Sequence, residues 1–252
     1  MQIESLLVDL DGTLLGNTGL RLSLDFVARA VSTLRPRLGV RGSLQTLVEI
    51  KKAFDRPDGE KTNDLRVVGL LAEKLDVTIE EARQILRSGV FQIFPNLSRH
   101  FYPIQGAREF LSWAKGRYPL VLATNPVWPE EIALLRLEWA GIDPSTFRSI
   151  THVRRMKACK PASEYYREVL EQEGFSAATT LLIGDDVKMD LPATRAGVPV
   201  FIVGAYRRVS ALRIEGMQAP AWRGSYRALQ EILEAGGAFP EHSLLQPPQE
   251  TR

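Results

Sequence analysis

Short apolar runs that stop at polar, turn-forming residues recur along the chain. Ile3 to Asp9 reads I-E-S-L-L-V-D and breaks into D-L-D-G-T, the pattern of a buried strand emerging into a loop. Similar runs stand at Pro119–Thr124, Thr180–Gly184 and Val198–Val203, with a weaker one around Ser149–Val153. Segments with apolar residues near helical spacing separate the later runs: Ala107–Lys115, Pro129–Ala140, Ser163–Glu173 and Asp190–Ala196. Strands alternating with helices predict an α/β fold, a three-layer, Rossmann-like parallel sheet covered on both faces.

From about Leu20 to His100 the texture changes to helical periodicity with almost no strand signal, so this segment reads as an insertion. Ser23 is placed to cap a helix through Leu34 that ends at Arg35-Pro36, and Ser43 to cap another running to Phe54. Thr78-Ile79-Glu80-Glu81 has the form of a capping box and introduces a further helix. Arg56 to Asn63 is a polar, turn-rich loop between helices. The predicted organisation is an α/β core at 1–18 and 102–235, a helical insert at 19–101, and a tail at 236–252 whose prolines and lack of period predict fraying.

Composition narrows the partners. Of 252 residues, 32 are Lys or Arg and 30 are Asp or Glu, a net charge of +2 that points to neither nucleic acid nor a membrane surface. No apolar stretch is long enough for a membrane span, and Met1-Gln2-Ile3-Glu4 lacks the basic start of a signal peptide, so a cytoplasmic location is expected. The one cysteine, Cys159, excludes an internal disulfide or a multi-thiolate zinc site and reads as a small filler. His100, His152 and His242 are too scattered for a metal triad, although His100 falls near the start of the second core segment.

In open α/β sheets ligands bind outside the carboxyl ends of the strands, so the residues there are the informative ones. The first run ends in Asp9 and Asp11, the second in Thr124 and Asn125, and the fourth in Gly184, Asp185, Asp186 and then Asp190. Lys160-Pro161 falls between the second and the fourth. Two carboxylate clusters in one crevice repel unless a cation separates them, and a hard divalent ion such as magnesium suits all-oxygen donors. Gly12 supplies a permissive turn between strand and loop, and Thr13 a hydroxyl to help close it.

Asp9-Leu10-Asp11-Gly12-Thr13, Thr124-Asn125, Lys160-Pro161 and Gly184-Asp185 through Asp190 together resemble, in order, the four motifs of the haloacid dehalogenase-like (HAD) superfamily, and in particular its phosphatases. The resemblance spans most of the chain outside the insert and the tail. It implies Asp9 as nucleophile, forming an aspartyl-phosphate, and Asp11 as general acid and base. It implies Thr124, the Asn125 N–H and Lys160 as phosphate-binding groups. Mg2+ would be held by Asp185 with Asp9 and the Leu10 carbonyl, Asp11 and Asp190 completing the metal site. Asp186 and Asp190 compete for the role of holding Lys160 or a metal water, and the resemblance favours Asp190. The insert corresponds to a type 1 helical cap, hinged near Gly16–Gly19 and Phe101–Gln105, and Trp128 is expected to face it.

The function implied is hydrolysis of a small phosphorylated metabolite, by a monomer or homodimer that uses neither nucleic acid nor membrane. A phosphomutase shares all four motifs. A dehalogenase of the same fold needs no acid for its leaving group, so Asp11 speaks against it. A phospho-receiver places its acidic pair first and its lysine last, unlike this chain, and a silent scaffold of the same fold would be expected to lack a motif residue. Tyr165-Tyr166 reads as packing and Arg154-Arg155 as a solvated pair.

Overall fold

The structure, a computed structural model, describes residues 1–204, 210–211 and 213–240. Along the chain, β1 (Ser5–Val8) and β2 (Leu15–Asn17) precede three helices, α1 (Leu20–Asp55), α2 (Asn63–Leu75) and α3 (Ile79–Ile93). Then come β3 (Phe101–Pro103), α4 (Ala107–Ala114), β4 (Leu120–Leu122), α5 (Glu130–Trp139), β5 (Ser149–Ile150) and α6 (Ser163–Glu173). The last elements are β6 (Thr180–Gly184), β7 (Val200–Val203), β8 (Ser210–Ala211), β9 (Ala221–Gly224) and α7 (Tyr226–Glu234). Asp190–Ala196, expected as an α-helix, forms a 3-10 helix over Leu191–Ala196.

The main sheet has the order β5-β4-β1-β6-β7-β9-β8, with six strands parallel and β8 antiparallel to β9. This is the Rossmann-type α/β sheet that the apolar runs predicted. β1 lies between β4 and β6, with Leu7 opposite Val121 on one side and Leu182 on the other. Successive side chains of a strand point to opposite faces, and here both faces are covered. Leu6 and Val8 join Phe110 of α4, Leu137 of α5 and Leu229 of α7, while Leu7 joins Tyr165, Tyr166 and Val169 of α6. A strand with both faces buried has no polar alternate, which is why β1 reads as a continuous run. Each such side chain contributes about 1.5–3 kcal/mol by leaving water.

Within the helical segment, the break lies at Gly39 (φ 63°), not at Arg35-Pro36. The helix carries Pro36, and the chain turns three residues later, where glycine takes a positive φ without a Cβ clash. The Thr78 capping box forms as the pattern predicted, the Thr78 hydroxyl accepting from Glu81 N–H and the Glu81 carboxylate from Thr78 N–H. Leu34, Val68, Leu71 and Ala82 give these helices a small core of their own. No helix among the described residues is long and apolar enough to cross a membrane.

The helical segment is joined to the sheet in three places. At its two chain crossings β2 pairs antiparallel with β3, and His100 bridges Thr18 and Asp25 beside them. Away from the crossings, Trp128 of the core packs edge-on against Phe26 and Phe94, at 5.3 and 4.8 Å, so it faces the insert as expected. The third attachment was not foreseen. Asn63, fully buried at the start of α2, donates from its side-chain amide to the carbonyls of Pro126 and Ala158, and its own N–H donates to Met156 O. Arg66 adds a bond to Lys157 O. Of the tail, Phe239 stacks on Trp222 and Pro240 O accepts from the Trp222 indole, so residues up to 240 lie against the core. Residues 241–252 lie outside the described residues.

Candidate active site

Asp9 follows β1 directly and is 6% exposed, its N–H bonded to Ile183 O of β6. The loop beyond it is tight. Leu14 and Leu15 N–H both donate to Leu10 O, and Gly12 N–H donates to Leu15 O. The Leu10 carbonyl therefore has both lone pairs engaged inside the loop. Those two bonds engage the carbonyl that the resemblance assigns to the metal. At Gly12 (φ 78°) a Cβ would sit 2.0 Å from Asp185 Oδ2, so only glycine lets the two acidic loops approach so closely. The Thr13 hydroxyl, expected to bond locally, instead crosses to Asp185 Oδ1 at 3.3 Å, and the Tyr226 hydroxyl holds Thr13 O.

Lys160 joins the two acidic loops. Its ammonium, 1% exposed, donates to Asp9 Oδ1 and Asp190 Oδ1, both at 2.6 Å. The other oxygen of Asp190 accepts the N–H groups of Asp185 and Asp186 at 3.1 Å. Asp190 is thus the partner of Lys160. Asp186 uses its carboxylate on Lys188 and Met189 N–H, a local loop bond at the exposed edge. At Gly184 a Cβ would meet Asp190 Cγ at 2.3 Å, so the glycine that ends β6 makes room for this carboxylate.

Burial drives the electrostatics. It pushes Asp9 up to about 7, with the Asp190 and Asp185 charges adding to the effect and Lys160 opposing it. Asp185 rises to about 6, again through burial first and Asp190 second. Burial disfavours the charged form of Lys160, but Asp190 and Asp9 outweigh it and hold the ammonium well above the usual lysine range. Asp9, Asp185 and Asp190 each offer an oxygen within 4.8 Å of the others. Asp190 spends its oxygens on Lys160 and two N–H groups, which leaves Asp9 and Asp185 as the pair best able to share a cation. Hard oxygen donors that burial and mutual repulsion keep partly protonated fit a divalent ion such as magnesium.

Thr124 and Asn125 follow β4, the neighbour of β1. Thr124 is buried, and its carbonyl accepts from the hydroxyls of Tyr165 and Thr151. Its own hydroxyl and the Asn125 N–H make no hydrogen bond among the described residues, so both donors are available. The Asn125 side chain accepts from Lys160 N–H at 3.2 Å, tying the two loops together. The tyrosine pair does more than pack, because Tyr166 donates to Met189 O in the acidic loop. Cys159 is buried, and burial pushes its thiol up to about 12, as suits a filler. Arg154 and Arg155 pair with Glu131 and Glu173 near the surface.

One residue was missed altogether. Arg136 of α5 is 4% exposed and donates to Oδ1 of Asp11. Its only trace in the sequence is position, four and three residues after the buried Ile132 and Ala133, on the stripe where an apolar residue would be expected. The Asp11 side chain is 46% exposed, lies outside the Asp9, Asp185 and Asp190 cluster, and has one oxygen bonded to Arg136.

A family model described as haloacid dehalogenase-like hydrolase matches residues 3–197. No curated protein sequence matches the chain. Among solved structures, a HAD phosphatase from Thermococcus onnurineus is 20% identical, with 92% of this chain and 98% of that one covered and a TM-score of 0.55. A 2-haloacid dehalogenase from Pseudomonas syringae is 16% identical, with 92% and 99% covered and a TM-score of 0.62. A putative HAD-hydrolase from Bacillus subtilis, described as bound to magnesium, is 22% identical over 92% and 99% of the two chains, with a TM-score of 0.51. At these identities the likeness is one of fold.

Proposed function

The chain belongs to the haloacid dehalogenase-like hydrolases, and from that premise we propose that it is a magnesium-dependent phosphomonoesterase acting on a small phosphorylated metabolite. The observation that carries this over a dehalogenase reading is Asp11. A halide leaves without a proton, whereas an ester oxygen needs one, and Asp11 stands two residues from the nucleophile, half exposed, with Oδ2 unbonded among the described residues.

On this reading a carboxylate oxygen of Asp9 attacks phosphorus and the ester P–O bond breaks. Asp11 gives its proton to the departing oxygen. Asp11 then takes a proton from water as that water attacks the aspartyl-phosphate and the acyl–phosphate bond breaks, releasing phosphate and restoring the Asp9 carboxylate and the protonated Asp11. Lys160 keeps Asp9 oriented and neutralises part of the charge on the phosphoryl oxygens, which the Thr124 hydroxyl and Asn125 N–H also receive. Asp9 and Asp185 would hold the magnesium ion, which supplies further neutralisation of the phosphoryl oxygens when bound. Residues 19–101 serve as a cap on the core at 1–18 and 102–235, and their contacts select the substrate.

The test is phosphate release from a panel of phosphorylated metabolites, with magnesium and with chelator, by the wild type and by Asp9→Asn. Metal-dependent release by the wild type and none by the variant is expected. Equal release by both would overturn the nucleophile assignment, and release unaffected by chelator the metal dependence.

A further inference from the structure

Arg136 is an expensive residue to bury. It lies in the interior of α5 between Ile132, Ala133 and Leu137, all buried with it. Its Nε is enclosed with no hydrogen-bond partner among the described residues. Burial lowers the guanidinium to about 10, so it remains charged at neutral pH. A well-packed apolar side chain of similar volume at such a place is often neutral or stabilising relative to an ion pair. The partner gains little as well, since Asp11 is half exposed and water could solvate it. Packing and solvation therefore do not account for the arginine, whereas the geometry of its one ionic contact does.

That contact is specific. Nη2 reaches Oδ1 of Asp11 and leaves Oδ2 free. The guanidinium carbon lies 5.6 Å from the centroid of Phe101, the ring at the root of the helical insert, which in turn lies 5.1 Å from Trp139 of the same helix α5. A planar fork held between a helix and an aromatic ring cannot follow Asp11 around its rotamers, so it constrains where Asp11 points.

We propose that Arg136 is the positioning residue for Asp11, anchoring one carboxylate oxygen so that the other faces the ester oxygen of the substrate. This rests on the phosphomonoesterase reading above. Arg136 touches neither substrate nor phosphorus and acts only through the direction of the acid.

The test compares kcat/KM for an alkyl phosphate, whose leaving oxygen needs a proton, with that for p-nitrophenyl phosphate, whose leaving group needs much less help. This constant reports steps through loss of the leaving group, so later hydrolysis of the aspartyl-phosphate does not enter. General acid catalysis is worth roughly 10²–10⁴-fold. Arg136→Gln should lose on the order of 10–100-fold on the alkyl ester and less than about threefold on the aryl ester. In the Asp11→Asn background the same substitution should cost nothing further on either ester. Equal losses on both esters, or an undiminished further loss in the Asp11→Asn background, would overturn the proposal. If Arg136→Gln does not fold, as judged by its thermal unfolding, Arg136→Lys keeps the charge without the fork and should show the same selectivity at smaller amplitude. A wild-type ratio between esters in that variant would then overturn it. A wild type that releases no phosphate from any ester would instead strike the phosphomonoesterase reading itself.

Discussion

Replacing Lys160 by Met should cost stability in a way that depends on pH. The Lys160 side chain is 1% exposed, and the side chains of its partners Asp9 and Asp190 are 9% and 1% exposed, so water cannot replace it. Removing one partner of a buried ion pair typically costs about 3–5 kcal/mol. Asp190 retains the N–H groups of Asp185 and Asp186, which places the expected loss near the lower end, about 3 kcal/mol at pH 8 with chelator present. For a chain of this size that is a drop of roughly 6–12 °C in Tm. At pH 5.5 the loss should be clearly smaller. Asp9, raised to about 7, is already largely protonated there in the wild type, so deleting the lysine no longer strands the Asp9 charge. Urea titrations followed by circular dichroism at both pH values measure the difference. A loss below about 1 kcal/mol at pH 8, or the same loss at both, would refute the account of the site as a carboxylate pair held by one buried cation.

Three further outcomes follow from the structure. Asp9 and Asp185 rise to about 7 and about 6 in the metal-free protein, above their unfolded value of 3.8, so the folded state holds more protons across that window. Metal-free stability should therefore fall as pH rises from about 4 to 7. Mg2+ must displace those protons, so its affinity by calorimetry should weaken from pH 8 to pH 5.5; a pH-independent affinity would remove Asp9 and Asp185 as its ligands. Asn63→Ala should cost about 2 kcal/mol, because the Pro126 and Ala158 carbonyls lose buried donors. It should also speed hydrogen exchange at the Asp64 amide, which is bonded to Val153 O; unchanged exchange would show that α2 is not docked on the core through this contact.

The parts of the fold that were legible in the sequence share a physical origin. β1, β4, β6 and β7 are central strands buried on both faces, so burial writes itself into consecutive residues. The Thr78 capping box is local enough to be read as four letters. β9 and α7 escaped notice, as did the β2 and β3 pairing. A-W-R-G carries only two fully apolar positions, and L-G-N and F-Y-P become strands only by meeting each other across the insert. The break at Gly39 was misplaced because proline is the stronger local signal, while the helix could absorb Pro36 and turn at the glycine.

At the site, the identities of Asp9, Asp11, Thr124, Lys160 and the aspartates after β6 could be read directly, because strands of a parallel sheet end on one edge and whatever follows them must gather there. The order of apolar runs was enough to place these residues at that edge. Division of labour within the site was a tertiary matter. The Lys160 contact selected Asp190 over Asp186, two hydrogen bonds engaged the Leu10 carbonyl inside its own loop, and Arg136 arrived from a helix more than a hundred residues away to hold Asp11. Such assignments depend on which oxygen a distant donor reaches, and the distances that decide this exist only once the chain has packed.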